Sequence, residues 1–172
     1  CTYDCRDDVL RFNSIGSIEL LGPKVYIFGM KNGKLEVVDT RAKEKALMMT
    51  QPVHKNGISH VKVTNSKKTF ITNGRDSKIL LFDIRRLGLN HGQGYQDRED
   101  FQSHPIFEFK DHESENYNIT PCLLENQKYI VTGSLDNLLY FYDLETGLLS
   151  HHIETDSSFI AGVYDFSSVT HK

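Results

Sequence analysis

Histidine and cysteine are the residue types in this sequence that could hold a metal ion or act as nucleophiles, with eight His and three Cys among 172 residues. Cys1 and Cys5 have a C-x₃-C spacing, but no second pair of Cys or His follows at the spacing of a zinc finger. His151 and His152 lie on or beside a predicted strand, where adjacent side chains point to opposite faces and cannot readily chelate one ion. We therefore expect neither a metal site nor a cofactor.

Two other patterns could support catalysis, and both lack the structural context that the chemistry requires. The stretch Gly92-Gln93-Gly94-Tyr95 lies in a predicted loop with no helix after it, so it does not match a phosphate-binding loop. Ser, His and Asp residues are present, but no nucleophile elbow positions a Ser for attack. The sequence therefore predicts a protein that is not an enzyme and takes no small-molecule substrate.

The composition indicates a soluble, globular chain. Apolar residues make up 38% and charged residues 25%, and the formal net charge of −3 is too balanced to indicate binding to nucleic acid or to an anionic membrane. The longest apolar runs, such as Val25–Met30 and Leu138–Tyr142, are far shorter than the roughly 20 residues of a membrane helix. Because the chain starts at Cys1 without a signal-peptide pattern, we expect a segment of a longer intracellular protein of the nucleus, the cytoplasm or both.

An internal repeat determines which elements must position the polar residues. Three similar stretches align on Asp39, Asp83 and Asp143, which are 44 and then 60 residues apart. The longer gap contains a polar insert at residues 88–104, without which the period returns to the low forties. Seven residues before each anchor lies an Asn or Asp of the kind that marks a turn. These turn residues are Asn32, Asp76 and Asp136.

Each unit contains four short β-forming runs separated by Asn, Asp, Gly and Ser. In the second unit the runs are Ile58–Val63, Thr69–Thr72, Lys78–Phe82 and, after the insert, Ile106–Phe109. The third unit begins with a predicted strand at Ile119–Leu124. No segment shows the sustained apolar period of a helix, so the sequence predicts an all-β fold.

Four strands per unit and a period of about 40–45 residues resemble the WD40 repeat, which implies a β-propeller. The blade-like units cover about residues 17–50, 57–110 and 117–154, and residues 158–166 resemble the start of a further blade. The match is degenerate, because the sequence contains no Trp. Since a closed ring needs about four to eight blades, residues 1–172 are interpreted as a partial propeller, with further blades expected outside them.

The resemblance also implies a buried hydrogen-bond chain in each well-formed blade, in which a His, a Ser or Thr, an Asp and the Trp order the turn between strands. The residues that match this structural chain are His54, Thr72 and Asp76 in the second unit and His112, Thr132 and Asp136 in the third. Phe82 stands at the Trp position of the second unit. Because a phenyl ring cannot donate a hydrogen bond, we expect a truncated chain there.

Two units end their third strand in Asp-x-Arg, at residues 39–41 and 83–85, whereas the third unit has Asp-Leu-Glu at residues 143–145. The tandem pair resembles the double box of WD40 substrate receptors of cullin–RING ubiquitin ligases, including the DDB1- and CUL4-associated factor 4-like WD40 proteins. The stretches that carry this resemblance are Gly33–Arg41, Lys78–Arg85 and Asp111–Tyr117. It implies docking onto an adaptor subunit through Asp39, Arg41, Asp83 and Arg85. The alternative is that each Arg pairs locally or is solvated.

Two functions remain open at this point, and both consist of binding other proteins. In the first, the protein is a ubiquitin-ligase substrate receptor, and its client binds on the face opposite to the adaptor. The residues assigned to this partner face are His54, Asn56, Arg75, Glu115, Tyr117 and Leu135. In the second, the protein is a general WD40 scaffold of another intracellular complex, in RNA processing, trafficking or chromatin. The insert at residues 88–104 would then be the main binding element.

Overall fold

The structure, a computed structural model, describes residues 14–41, 48–87, 104–124 and 128–156. These residues form three four-stranded antiparallel sheets, in which strands adjacent in sequence are adjacent in space. Sheet 1 contains β1 (Ile15–Gly22), β2 (Val25–Met30), β3 (Leu35–Asp39) and β4 (Met48–Met49). Sheet 2 contains β5 (Ile58–Val63), β6 (Thr69–Gly74), β7 (Lys78–Asp83) and β8 (Phe107–Phe109), with a short 3₁₀ helix at Ile84–Leu87 after β7. Sheet 3 contains β9 (Cys122–Leu123), β10 (Tyr129–Gly133), β11 (Leu138–Asp143) and β12 (Leu149–Glu154).

Each sheet is an up-and-down meander, so its loops lie at two opposite ends. The turns between the second and third strands lie at what we call the upper end, together with the segments that lead into β5 and β9. The turns that follow the first and third strands of each sheet lie at the lower end. The all-β fold predicted from the repeat is confirmed, and the two ends carry most of its polar loop residues.

The first strand of sheet 3 is shorter than the sequence predicts. The prediction was Ile119–Leu124, whereas β9 spans Cys122–Leu123. Pro121 has no N–H to give to a strand ladder, and the carbonyl oxygen of Ile119 instead accepts a hydrogen bond from the Asn73 side chain of sheet 2, at 2.8 Å. The segment before β9 therefore joins two sheets rather than extending one.

Some predicted features lie outside the described residues. They include the start of a further blade at residues 158–166 and, apart from its last residue, the insert at residues 88–104. The expectation of further blades stays a prediction. Ile18 and Leu20 of sheet 1 are 53% and 50% exposed, and Ile153 of sheet 3 is 48% exposed, so both outer sheets have apolar side chains at their surfaces.

Sheet 2 is buried on both of its faces. Side chains alternate along a strand, and so Phe70 and Phe82 pack toward sheet 1 while Ile71 and Leu81 pack toward sheet 3. The rings of Phe70 and Phe82 stack with their centroids 5.2 Å apart. Burial on both faces explains why β7 reads as a continuous apolar run instead of alternating with polar residues.

Polar contacts also join the sheets. The hydroxyl of Ser17 in β1 accepts a hydrogen bond from the backbone N–H of Val61 in β5, at 3.0 Å. In the second interface, the amide nitrogen of Asn73 donates both to Ile119 O and to the Ser59 hydroxyl, at 2.8 and 2.9 Å. Because these groups are largely buried, their hydrogen bonds fix how the sheets pack as well as stabilising the packing.

In the second unit, the residues of the predicted hydrogen-bond chain contact one another. The two imidazole nitrogens of His54 contact Thr72 Oγ1 at 2.8 Å and Asp76 Oδ1 at 2.9 Å. The Asp76 carboxylate also accepts the N–H of Lys55 at 2.8 Å. Burial alone would raise the pKa of Asp76, but the hydrogen bonds from His54 and Lys55 outweigh it and hold that pKa below its usual value. A Cβ atom at Gly74 would collide with this imidazole, so the site requires glycine there.

The third unit does not form the chain that its sequence predicts. His112 turns its Nδ1 toward the hydroxyl of Tyr142, at 3.1 Å, and contacts neither Thr132 nor Asp136. The Thr132 hydroxyl donates instead to the neighbouring Gly133 carbonyl, and Asp136 accepts a hydrogen bond from Tyr140. The reason is Tyr142, which occupies the Trp position and reaches the imidazole directly.

The hydrogen bonds around Tyr142 also determine which nitrogen of His112 carries the proton. The Tyr142 oxygen accepts the backbone N–H groups of Asp111 and His112, at 3.2 and 3.1 Å, so its own hydrogen points to His112 Nδ1. The proton of the neutral ring is then on Nε2, which is buried and has no hydrogen-bond partner among the described residues. Burial lowers the pKa of His112 to about 4.

Removal of a single threonine hydroxyl should affect stability differently in the second and third units. Thr72→Val should lower the free energy of unfolding by about 1–3 kcal/mol, because it leaves a buried nitrogen of His54 without its partner. Thr132→Val is the matched control and should cost less, since it removes only a bond to the adjacent carbonyl. Urea denaturation measures both values, and equal losses would contradict the difference between the two units.

The His112 ring should resist protonation until the solution is strongly acidic. We expect its imidazole to titrate near pH 4 in NMR spectra of the folded protein, instead of at its ordinary value of 6.5. Because the folded pKa lies below the unfolded one, the stabilising effect of the neutral ring is complete above about pH 6.5 and is lost as the pH falls toward 4. A midpoint near 6.5 would show that the ring is not buried in this way.

Candidate protein-interaction surfaces

The two Asp-x-Arg sequences lie at the lower ends of the adjacent sheets 1 and 2. Asp39 ends β3 and Asp83 ends β7, and each carboxylate faces the Arg two residues later. The Nη2 atoms of Arg41 and Arg85 both lie 2.6 Å from the carboxylate of their own Asp. The Nε atoms donate to the same carboxylates, at 2.9 Å in the first pair and 3.0 Å in the second. The two pairs therefore repeat one geometry on neighbouring sheets.

The Asp of each pair also shapes the turn that presents the Arg. Its Oδ1 accepts the backbone N–H two residues ahead, from Arg41 in one sheet and from Arg85 in the other, at 2.9 Å in both. Asp143 caps the corresponding turn of sheet 3 in the same way, through the N–H of Glu145 at 2.8 Å, but no Arg follows. The hydrogen bonds from Arg85 hold the pKa of Asp83 below its usual value, so this carboxylate stays ionised at neutral pH.

The Arg side chains remain accessible although they are paired. The Arg85 side chain is 80% exposed and that of Arg41 is 48% exposed, whereas Asp83 and Asp39 are 12% and 8% exposed. Ion pairs that face water in this way contribute little to folding stability. The local pairing that the sequence left open as an alternative is therefore present, and it holds each guanidinium at the surface of the lower end.

The residues assigned to the partner face lie at the upper end, but they differ in exposure. Asn56, Glu115 and Tyr117 are exposed, and Arg75 and Leu135 are half-buried. His54 is only 2% exposed and is occupied by Thr72 and Asp76, so it cannot contact a partner there. Asn56 lies on the segment before β5, whereas Glu115 and Tyr117 lie on the segment before β9.

Backbone hydrogen bonds place these loops beside one another. The N–H of Asn116 donates to Arg75 O at 3.2 Å, and the N–H of Leu135 donates to Glu113 O at 2.9 Å. The segment before β9 therefore lies against the upper turns of sheets 2 and 3. This arrangement brings most of the predicted face together as one surface.

One upper-end residue was missed in the sequence. Lys31 precedes the turn residue Asn32 of sheet 1, as Arg75 precedes Asp76 in sheet 2, and both cations line one cleft between the two sheets. The alignment of the repeats contains the signal, because Lys31, Arg75 and Leu135 occupy equivalent positions. Only the packing of the sheets shows that the first two face a common space.

Two features were not found among the described residues, a cluster of metal-binding side chains and a helix that could span a membrane. Over residues 14–41, 48–87, 104–124 and 128–156, no group of three or more His, Cys, Asp or Glu side chains could hold a metal ion. Within those same ranges, no helix has the length and apolar character needed to cross a membrane.

Comparison with known sequences gives partial matches. No protein-family model matches the chain. It is 28% identical to the LEC14B protein of Lithospermum erythrorhizon over 86% of its own length and 38% of that protein. It is 30% identical to the WD repeat domain-containing protein 83 homolog of Dictyostelium discoideum over 62% of its length and 28% of that protein. The chain thus spans well under half the length of these relatives.

Comparison with solved structures shows the fold. The WD40 β-propeller domain of Doa1 superposes with a TM-score of 0.66 at 18% identity, over 88% of this chain and 44% of that one. The β-propeller domain of Myceliophteria thermophila Cps50 (Swd1) gives a TM-score of 0.66 at 16% identity, over 83% of this chain and 41% of that one. The three four-stranded sheets therefore have the architecture of β-propeller blades.

Proposed function

We propose that this protein is a non-catalytic, intracellular protein-interaction scaffold, and specifically a WD40 substrate receptor that docks onto the adaptor of a cullin–RING ubiquitin ligase. The observation that carries the proposal is the repeated Asp–Arg pair at the lower ends of two adjacent blades. Asp39 with Arg41 and Asp83 with Arg85 match the tandem box of that receptor class in sequence. They also share one geometry, with Nη2–carboxylate distances of 2.6 Å in both.

The pairing prepares each Arg for a partner. A long side chain loses rotamer freedom when it binds, and a guanidinium already held by its own Asp has lost much of that freedom beforehand. Arg85 uses Nε and Nη2 on Asp83, and its Nη1 makes no bond with the other described residues. That group can donate to a carbonyl or carboxylate of an adaptor, in the manner of an Arg interface anchor.

One observation favours the second candidate, a general WD40 scaffold of another complex in RNA processing, trafficking or chromatin. The carboxylate-binding edge of each guanidinium is already occupied by its own Asp, so the pairs also satisfy a purely structural role. On this reading the partner binds the upper end or the insert at residues 88–104. The nucleus and the cytoplasm are proposed locations under both candidates.

The test is affinity purification of the tagged full-length protein from its own cells, followed by mass spectrometry. The native protein should capture the adaptor and the cullin, and Arg41→Ala/Arg85→Ala should lose both, because it removes the two exposed donors. The melting temperature should be unchanged, since exposed ion pairs contribute little stability. Arg41→Lys/Arg85→Lys keeps the charge but not the planar fork, and should also bind poorly.

Arg86→Ala is the matched control for the second pair. Arg86 is an exposed Arg of the same 3₁₀ helix, one residue from Arg85, and it affects the Asp83 carboxylate only through its charge. The single variant Arg85→Ala should weaken adaptor capture, and Arg86→Ala should leave it intact. If the native protein and the double variant capture the same partners without an adaptor, the general scaffold is the correct function.

A further inference from the structure

The upper end contains a small cationic cleft at the junction of sheets 1 and 2. Its volume is about 160 Å³, and two positively charged side chains, Lys31 and Arg75, line it. Residues of β1 and β5 and Asn118, from the segment before β9, complete the lining. Pockets that enclose small molecules usually measure about 300–1,000 Å³, so this cleft suits a single side chain better than a metabolite.

The repeat itself places the two cations side by side. Lys31 and Arg75 are equivalent residues of neighbouring sheets, and adjacent sheets present the same turn next to each other. Their backbones are fixed, because the N–H of Lys31 donates to Ser14 O at 2.8 Å and that of Arg75 donates to Gly57 O at 3.0 Å. Leu135 occupies this position in sheet 3, so the paired charge is confined to the junction of sheets 1 and 2.

Close backbone approach forms the walls of the cleft. A Cβ atom at Gly16 would collide with Ile58 O, and one at Gly57 would lie 2.6 Å from Lys31 O. Gly57 also has a φ of 71°, which non-glycine residues rarely adopt. These glycines bring the two sheets together at the cleft.

Neither cation is neutralised within the described residues. Arg75 Nε donates to the neutral side-chain oxygen of Asn118, at 2.8 Å, and no described carboxylate forms an ion pair with Lys31 or Arg75. Arg41 and Arg85 at the lower end differ, because each is paired with its own Asp. An anion that enters the cleft would be attracted by both positively charged residues.

We propose that this cleft binds the carboxylate of an Asp or Glu side chain in an extended segment of another protein. The inference rests on the proposed function in one respect, namely that the other protein, which carries the acidic segment, is the client of the receptor. The ammonium of Lys31 and the remaining donors of Arg75 supply charge-assisted hydrogen bonds to the carboxylate. Recognition of one acidic side chain gives the upper end a defined specificity.

The experiment selects peptides and then tests the contact with a double-mutant cycle. A library of random peptides displayed on phage is selected on the immobilised full-length protein, and the enriched peptides should share an Asp or Glu. Replacement of that residue by Asn or Gln should weaken binding about tenfold, which is about 1.4 kcal/mol. Lys31→Ala/Arg75→Ala should weaken binding of the acidic peptide by a similar factor. In that variant, replacing the acidic residue of the peptide should not weaken binding any further.

Lys34→Ala/Lys55→Ala is the matched control, because it removes the same charge from the same end without touching the cleft. The peptide replacement should still cost about tenfold in this variant. The proposal is overturned if no peptide is enriched, if the enriched peptides share no acidic residue, or if the two double variants behave alike. It is also overturned if the site accepts only a phosphoserine at that position and not Asp or Glu.

The cleft and the proposed function can fail separately. Lys31→Ala/Arg75→Ala should retain the adaptor in affinity purification, because the cleft and the Asp–Arg pairs lie at opposite ends of the sheets. Coupling in the peptide cycle without any captured adaptor would support the cleft and reject the receptor. A captured adaptor with no coupling would reject the cleft alone.

Discussion

The structure depends on the face-to-face packing of adjacent sheets, and above all on the burial of sheet 2 on both of its faces. Phe70 and Phe82 fill one interface while Ile71 and Leu81 fill the other. Each buried side chain of this size contributes about 1.5–3 kcal/mol, against about 0.5–1.5 kcal/mol for a typical single hydrogen bond. Once the broad faces are used for packing, only the two ends of the sheets remain for polar loops. The division of the surface into an upper and a lower end follows from this constraint.

The fold could be predicted from the sequence because its signals are local and repeated. Short β-forming runs and turn residues at a fixed period identify the strands, and β5 spans the predicted Ile58–Val63. The truncation of β9 was not predicted, because it depends on Pro121 together with a side chain from another sheet, Asn73. Contacts between units are not visible in the pattern of a single unit.

The contacts of the polar residues also could not be predicted from the pattern of a single repeat unit. His54 and His112 occupy equivalent repeat positions, yet one contacts Thr72 and the other Tyr142. The outcome depends on the residue at the Trp position, where Phe82 offers no hydroxyl and Tyr142 offers one that reaches the ring. The spacing of the Asp-x-Arg pairs could be read from the sequence, but the local ion pairs and their exposure required coordinates. The shared cleft of Lys31 and Arg75 required the packing of two sheets.

The separation of the two ends has a consequence for how partners would combine. A strand rises about 3.3 Å per residue, so the six residues of β7 place the Arg75 turn and the Arg85 turn roughly 20 Å apart. Charges at that distance are largely screened at physiological salt, where the Debye length is about 8 Å. A partner at the lower end and a segment in the upper cleft should therefore bind independently, and their binding free energies should add. A receptor needs this property, because it holds its client and its adaptor at the same time and must not trade one for the other.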